Sequence, residues 1–483
     1  ANSNGLKTIV FVNTKADAVG TARKIASELG QIVTLNEIES SLWDALVVEL
    51  GDAKHSIFGE TNFGAVPHNS SMLRLERSLA ERLFKRGDGA RVIVATPTLA
   101  QGLNLPAHLA ILAGDKRAGV EPGEREDLEA HELLNAAARA GRAGHLANGV
   151  VILIPEPVVK FTPGKPLSDL LLQKLSAVLP EDDRCVTISD PLEVVLDRLM
   201  EGKLGDREVT YTVNRLAALT AADGGLDSAD NLMARSLGAF LARKRAEQVE
   251  YREKVVELWE MAKAAADDNP HEVIVLMASQ SGLPLNLLER LRVRVSQGAG
   301  ALPVTIDGWV DWTINWLKED EPAREHLLRD VHRSAALAVG KTATSPLDPA
   351  VLDVLAVGVK GWICGLPLNE IEIKLGGNPN GKLATEKACP QARELISTFI
   401  PRGLCFVMGV VSRMAEDLGV ALEQDSLDET LLKSVSAAVR RGYDTVEKLE
   451  FANAHKEILG RVQLHRLYHQ AGLAFDFDLD DEL

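Results

Sequence analysis

Short apolar runs, each closing on small polar residues and separated by stretches of helical character, set the strongest limit on the fold of this chain. Lys7-Thr-Ile-Val-Phe-Val-Asn-Thr14 reads as a buried strand. Ala16 to Leu29 follows with helical character and stops at Gly30, a C-cap residue. The pattern recurs at Ala90-Arg-Val-Ile-Val-Ala-Thr96, at His108-Leu-Ala-Ile-Leu-Ala113 and at Gly149-Val-Val-Ile-Leu-Ile154, which Pro155 ends. Strands too apolar to face water on either side need helices over both faces, so the expected fold is an open parallel α/β sheet. In such sheets ligands bind beyond the carboxyl ends of the strands. Three polar segments fall at those ends: Asn13-Thr14-Lys15, Thr96-Pro-Thr98 and the stretch leading into Arg139.

That last stretch, Asn135-Ala-Ala-Ala-Arg-Ala-Gly-Arg-Ala-Gly-His-Leu-Ala147, sets Arg139 and Arg142 three apart among alanines and glycines. Such a segment can form a helix ending at a tight corner that pushes two guanidiniums outward. Arginine suits multidentate recognition of phosphate. Two readings stand: an arginine finger completing a nucleoside triphosphatase site, or a surface helix with two solvated arginines.

The neighbouring segments favour the first. Thr8-Ile-Val-Phe-Val-Asn-Thr-Lys15 resembles motif IV of superfamily II helicases. Val66-Pro-His-Asn-Ser-Ser71, followed by Glu76, resembles the double-histidine segment of the DExH type, with Asn69 where the second histidine usually stands. Val92-Ile-Val-Ala-Thr-Pro-Thr-Leu-Ala-Gln-Gly-Leu-Asn-Leu-Pro-Ala107 is similar to motif V almost residue for residue. Asn135 to Arg142 resembles motif VI, with Asn135 in place of glutamine and Ala138 in place of the first glycine. Order and separation fit as well. The chain thus resembles the C-terminal half, from the second RecA-like domain onward, of a DExH helicase of the superkiller and DNA-repair type.

The resemblance implies roles. Arg142 would be the finger that reaches the γ-phosphate, with Arg139 beside it. Gly102 and Asn104 would connect the ATP cleft to the bound strand, and Asn135 would lie on the nucleotide side. Thr14, Lys15, Thr96 and Thr98 would hold the nucleic-acid backbone, where small hydroxyls grip phosphates without reading bases; turn capping is the simpler role for the two threonines at 96 and 98. Such an enzyme also needs a GxxxxGK(S/T) loop and an acidic metal site, and the sequence has neither. Gly340-Lys341-Thr342 follows a helical stretch and lacks the upstream glycine. ATP with Mg2+ is therefore expected at an interface with an absent first RecA-like domain, in the same protein or a separate subunit, and the chain alone is expected to be inactive. The departures at Asn135 and Ala138 leave a second reading, a catalytically silent nucleic-acid-binding scaffold or regulatory subunit.

Downstream the chain reads as mostly helical, and the expected division is 1–160 RecA-like, 161–245 linker and winged-helix-like, 246–420 helical and ratchet-like, and 421–483 a C-terminal extension with an acidic tail. Ser228 to Lys244 reads as one helix of a pair, and Arg393 to Arg413 as two helices broken by Pro401-Arg-Gly403. Arg290 and Arg294 share a helix face, and Trp309, Trp312 and Trp316 form one aromatic stripe, for a core or for base stacking. Arg461, His465 and His469, with Arg466 nearby, are placed on a basic face. A formal net charge of -16 does not advertise nucleic-acid binding, but a locally positive track is compatible with an acidic exterior. Such a track is expected to run from Thr96 and Thr98 past Arg290 and Arg294 to Arg461 and Arg466. Four scattered cysteines fit a reducing compartment, and no uninterrupted apolar run long enough for a membrane span is read in the sequence. The expected partners are single-stranded or tailed nucleic acid, the first motor domain and a nuclease subunit, with no membrane; the expected setting is cytoplasmic, in prokaryotic antiphage defence.

Overall fold

The computed structural model describes residues 6–58, 62–96, 105, 107–114, 116–118, 125–127, 149–154, 191–201, 209, 212–213, 215–217, 228–267, 272–297, 302–381, 388–421 and 428–479. The chain divides into two compact units. The first joins 1–185, 305–406 and 434–483; the second joins 186–304 and 407–433. These units cut across the expected boundaries near 160, 245 and 420, because segments far apart in sequence share a core.

The first unit is built on a five-stranded, all-parallel sheet. Its strands are β1 (Thr8–Val12), β2 (Ala65–His68), β3 (Val92–Ala95), β4 (Leu109–Ala113) and β7 (Val150–Ile154), in the order β2-β3-β1-β4-β7. A two-stranded antiparallel ribbon, β5 (Lys116–Ala118) and β6 (Arg125–Asp127), lies outside it. Helices α1 (Lys15–Leu29), α2 (Glu37–Leu50) and α3 (Arg74–Lys85) supply the crossovers. This is the expected RecA-like α/β architecture, followed by mostly helical regions. Val10 and Val12 of β1 and Val92 and Val94 of β3 pack against Ala18, Ala22 and Ala26, whose small side chains let α1 lie close on the sheet. Gly30 ends α1 in the left-handed region, at φ 58°. The short β2 carries Pro67, which lacks a ladder N–H, and it sits at the sheet edge where that loss is tolerated.

The second unit contains α4 (Pro191–Met200), α5 (Ala229–Arg235), α6 (Leu237–Arg245), α7 (Gln248–Asp267), α8 (Glu272–Ser281) and α9 (Leu285–Gln297). Leu196, Ala239 and Ala242 share one core with Tyr251, Val255, Leu258 and Ala262 of α7. The single helix expected over 228–244 is two, because Ser236 turns extended and its hydroxyl caps α6 by accepting from Ala239 N–H.

The remaining helices are α10 (Ile306–Glu319), α11 (Glu321–Leu327), α12 (His332–Ala338), α13 (Pro349–Ile363), α14 (Leu368–Lys374), α15 (Pro390–Glu394), α16 (Cys405–Ala421), α17 (Glu429–Arg441), α18 (Val446–Ala454) and α19 (Arg461–Leu479). Pro401 does not break the chain into a helical pair. Leu395–Leu404 widens into a π-helix that carries the proline and joins α15 to α16, since a wider turn moves the carbonyl that the ring would strike. The resulting run, Pro390–Leu418, is long enough to cross a membrane and holds an 18-residue window of mean hydropathy 1.7, correcting the expectation of no such segment; 61% of that window is buried in protein, as befits a core helix.

Within the first unit, two buried ion pairs tie α15 and α19 to the helices of the sheet domain. Arg393 of α15 donates to both carboxylate oxygens of Glu76 on α3, at 2.7 and 2.8 Å, and to the carbonyls of His55 and Ala388. Glu76 also accepts from the backbone N–H groups of Leu73 and Ile57, so neither charge is left with an idle face. Arg461 of α19 pairs with Oε1 of Glu49 on α2, at 2.8 Å, while Oε2 accepts from the Val462 N–H at 3.1 Å.

Candidate nucleotide and nucleic-acid site

All five sheet strands run the same way, so their carboxyl ends form one edge. β1 ends there in Asn13, Thr14 and Lys15; β2 in His68 and Asn69; β3 in Thr96; β4 in Gly114. The chain leaves central β1 for the β2 edge, returns through β3 beside β1, then crosses to β4 and β7 on the other side. A sheet that fills both flanks of its first strand opens a crevice at that strand's carboxyl end.

Side chains tie this edge together. Asn69 Oδ1 accepts from the backbone and the hydroxyl of Ser71 at 3.0 and 2.7 Å, and its Nδ2 donates to the Lys15 carbonyl at 3.4 Å. Asparagine at the usual second-histidine position thus closes a turn and braces the end of β1 against the end of β2. The Thr96 N–H donates to the His68 carbonyl at 3.3 Å, and Thr96 is buried. His68 meets Glu81 at 3.2 Å, while burial pushes its imidazole pKa down. Gly114 holds φ 110°, and a Cβ there would lie 2.6 Å from Asn13 Nδ2. Glycine is what allows β4 to end against Asn13.

Thr14 is exposed, but its hydroxyl is engaged: it accepts from Asp17 N–H at 3.1 Å and donates to the Asp17 carboxylate at 2.6 Å, capping α1. A phosphate would have to displace the carboxylate. Thr98, Gly102, Asn104, Asn135, Arg139 and Arg142 lie outside the described residues.

The downstream arginines fare differently from one another. Arg290 is exposed and Arg294 half-buried on α9, bordering the stripe of buried Leu287, Leu288, Leu291 and Val295, while Arg292 is held by Glu289. Arg466 is exposed on α19. Arg461 corrects the expectation. Only 7% exposed, its guanidinium binds Glu49 and donates to the carbonyls of Trp362 and Leu366, at 2.6 Å each, and stacks 4.0 Å over the Trp362 ring. Every side of that group faces protein, so it cannot take a phosphate. His465 is buried beside it, bonded to the Gly442 carbonyl at 2.8 Å, and burial lowers its pKa to about 4. The basic face drawn through Arg461 and His465 is therefore the inner face of α19.

The aromatic stripe also resolves inward. Trp309 and Trp316 are buried in the core and Trp312 is half-buried beside them. Gly340 follows a helix and Lys341 pairs with Asp348 at 3.2 Å, as befits a turn outside any phosphate loop.

No family model matches this chain. Curated proteins do. The chain is 32% identical over 156 residues to a DExH-box ATP-dependent RNA helicase of Arabidopsis thaliana, covering 31% of this chain and 7% of that protein. It is 32% identical over 152 residues to the U5 small nuclear ribonucleoprotein 200 kDa helicase of Drosophila melanogaster, and 27% over 201 residues to activating signal cointegrator 1 complex subunit 3 of Mus musculus. The latter two matches cover 31% and 40% of this chain; the chain spans only 7 to 9% of the length of these relatives. Over that stretch, the chain is related to the DExH-box helicases of superfamily II.

Proposed function

We propose that this chain is the second-motor-domain half of an ATP-dependent nucleic-acid helicase or translocase. The observation that carries the reading is the all-parallel sheet whose carboxyl edge gathers Asn13, Thr14, Lys15, Asn69 and Thr96 in a chain related to DExH-box helicases. ATP, gripped with Mg2+ by a first RecA-like domain, supplies the phosphoryl-transfer chemistry. Arg142 and Arg139 carry positive charge to the phosphates from the opposite side of the cleft, which is why this half is inactive by itself. Gly102 and Asn104 couple the cleft to the strand, and Asn135 sits on the nucleotide side. The Thr96 and Thr98 side chains and the Lys15 ammonium hold phosphodiesters without regard to sequence, joined by the Thr14 hydroxyl where a phosphate displaces the Asp17 carboxylate from it. The burial of Arg461 removes it from the downstream phosphate contacts, leaving Arg290 and Arg294 on the second unit and Arg466 on the first.

The test is strand separation. Paired with its first motor domain, in one chain or as two subunits, the protein separates a duplex with a single-stranded tail when ATP is supplied, and a combined Arg139→Ala and Arg142→Ala variant does not. Separation that survives both substitutions defeats the reading.

A further inference from the structure

Helix α6 of the second unit turns an aromatic ring and a pair of cations toward solvent. Gly238, Ala239 and Ala242 form its buried side. On the opposite side, Leu237, Phe240, Arg243 and Lys244 follow at helical spacing and share one face. Phe240 is 49% exposed and Leu237 40%, and the Lys244 ammonium stands 5.4 Å over the Phe240 ring. Solvent-facing phenylalanine on a short helix normally retreats into a core, and here the core side is already filled by small residues.

The charges beside it are unbalanced. Arg245 is engaged by Glu193, and Asp230 is engaged by Arg252. Arg235, Arg243 and Lys244 are all exposed, and none forms an ion pair among the described residues. Arg243 and Lys244 thus share the Phe240 face with no ion pair among the described residues, in a chain of net charge -16, and Arg243 Nε donates only to the Ala239 carbonyl of its own helix. On the other flank of Arg243 opens a pocket of about 340 Å³, lined by Met233, Ala239, Ala242, Gln248, Tyr251 and the Asp230 carboxylate, which Arg252 engages at 3.2 Å. That is the size at which small-ligand pockets begin, roughly 300 Å³, with polar groups from Gln248 and Tyr251 to orient a planar occupant.

A polyanion with flat heteroaromatic groups matches all three features. We propose that this face of α6 binds single-stranded nucleic acid: one base stacks on Phe240, Arg243 and Lys244 hold the flanking phosphodiesters, and the pocket beside Arg243 receives the neighbouring base. Stacking platforms between cations grip any sequence, because every base has a π-face. The inference rests on the nucleic-acid-handling reading above, and it adds a contact distant in sequence from the sheet edge.

The experiment measures anisotropy of a fluorescein-labelled 20-nucleotide oligouridylate, and of oligothymidylate, with the full chain and no ATP. Phe240→Ala weakens both by about ten-fold, the loss of one stacked base, whereas Phe240→Trp keeps wild-type affinity. Arg243→Gln with Lys244→Gln lowers the slope of log affinity against log salt by about 1.4, two single-strand phosphates. Far-UV circular dichroism checks that these exposed substitutions leave the fold intact. If the wild-type chain binds and all variants bind equally, this face is no nucleic-acid site and only this inference falls. If Phe240→Trp loses as much as Phe240→Ala, stacking is not the contact and the inference also falls. If the wild-type chain binds neither oligonucleotide, the proposed function falls with it.

Discussion

Removing the Arg393 guanidinium while keeping its bulk, with Arg393→Met, strands the Glu76 carboxylate in the interior. Both partners are at most 1% exposed. Glu76 would keep two backbone donors, Leu73 N–H at 2.9 Å and Ile57 N–H at 3.3 Å, but lose the two charge-assisted bonds that offset its desolvation. Breaking a buried pair from one side costs about 3–5 kcal/mol. The carbonyls of His55 and Ala388 also lose their donors, which sets the expectation at the upper end of that range. Glu76→Gln combined with Arg393→Met removes the orphaned charge and leaves a side-chain oxygen for one backbone N–H. The double variant should recover about 2 kcal/mol or more relative to Arg393→Met alone. Urea denaturation followed by tryptophan fluorescence reads both quantities. A loss below about 1 kcal/mol for Arg393→Met, or strict additivity in the double variant, would refute the claim that this pair ties α15 to the sheet domain.

Arg461→Ala should destabilise the chain by about 3–5 kcal/mol, again by isolating a buried carboxylate, yet leave oligonucleotide affinity of the folded protein unchanged; weaker binding at full folding would restore it to the track. Gly442→Ala should also destabilise, by more than about 1 kcal/mol, because φ is +82° and the new Cβ would fall 2.2 Å from Arg461 Cδ and 2.7 Å from the Trp362 ring; an unchanged melting temperature contradicts that packing. Burial raises the pKa of Glu372 to about 7 against an ordinary 4.5, so folding favours its protonated form. Its contribution to stability is full below about 4.5 and is lost as pH rises to about 7, with a slope near 1.4 kcal/mol per unit. His465, lowered from 6.5 to about 4, contributes with the opposite sign, its stabilisation being lost as pH falls through that window. The two oppose each other between 4.5 and 6.5, so wild type minus Glu372→Gln isolates the first; a difference that does not vary with pH from 4.5 to 7 would contradict the buried, protonated carboxyl.

Strands β1, β3, β4 and β7 were legible because each reads as an apolar run; β1 and β3 are buried along their whole length, as such a run predicts, β4 alternates, and β7, at the edge of the sheet, is largely exposed. β2 was not, since Ala65-Val-Pro-His68 is short and its proline argues against a ladder; only its place at the edge of the sheet makes it admissible. The helix face of Arg461 and His465 shows what spacing can and cannot tell. Positions four apart share a face, but the direction of that face was decided by Glu49, 412 residues away. Arg393 and Glu76 are separated by 317 residues and carried no local sign of pairing. Trp309 and Trp316 left two outcomes open, and the packing of α10 settled them as core. At the sheet edge, the identity of the polar residues was readable, while the bracing role of Asn69 depended on bringing Lys15 within reach.

The central claim is that Arg142 completes a nucleoside triphosphatase site shared with a first RecA-like domain. Single-turnover ATP hydrolysis, with saturating single-stranded RNA or DNA and the two domains together, tests it most directly. An arginine finger is worth about 10³–10⁵ in turnover, so Arg142→Ala should slow hydrolysis by at least about 10³ while the isolated chain hydrolyses none. Hydrolysis by the isolated chain, or turnover in the Arg142→Ala pair within about ten-fold of wild type, would contradict the account.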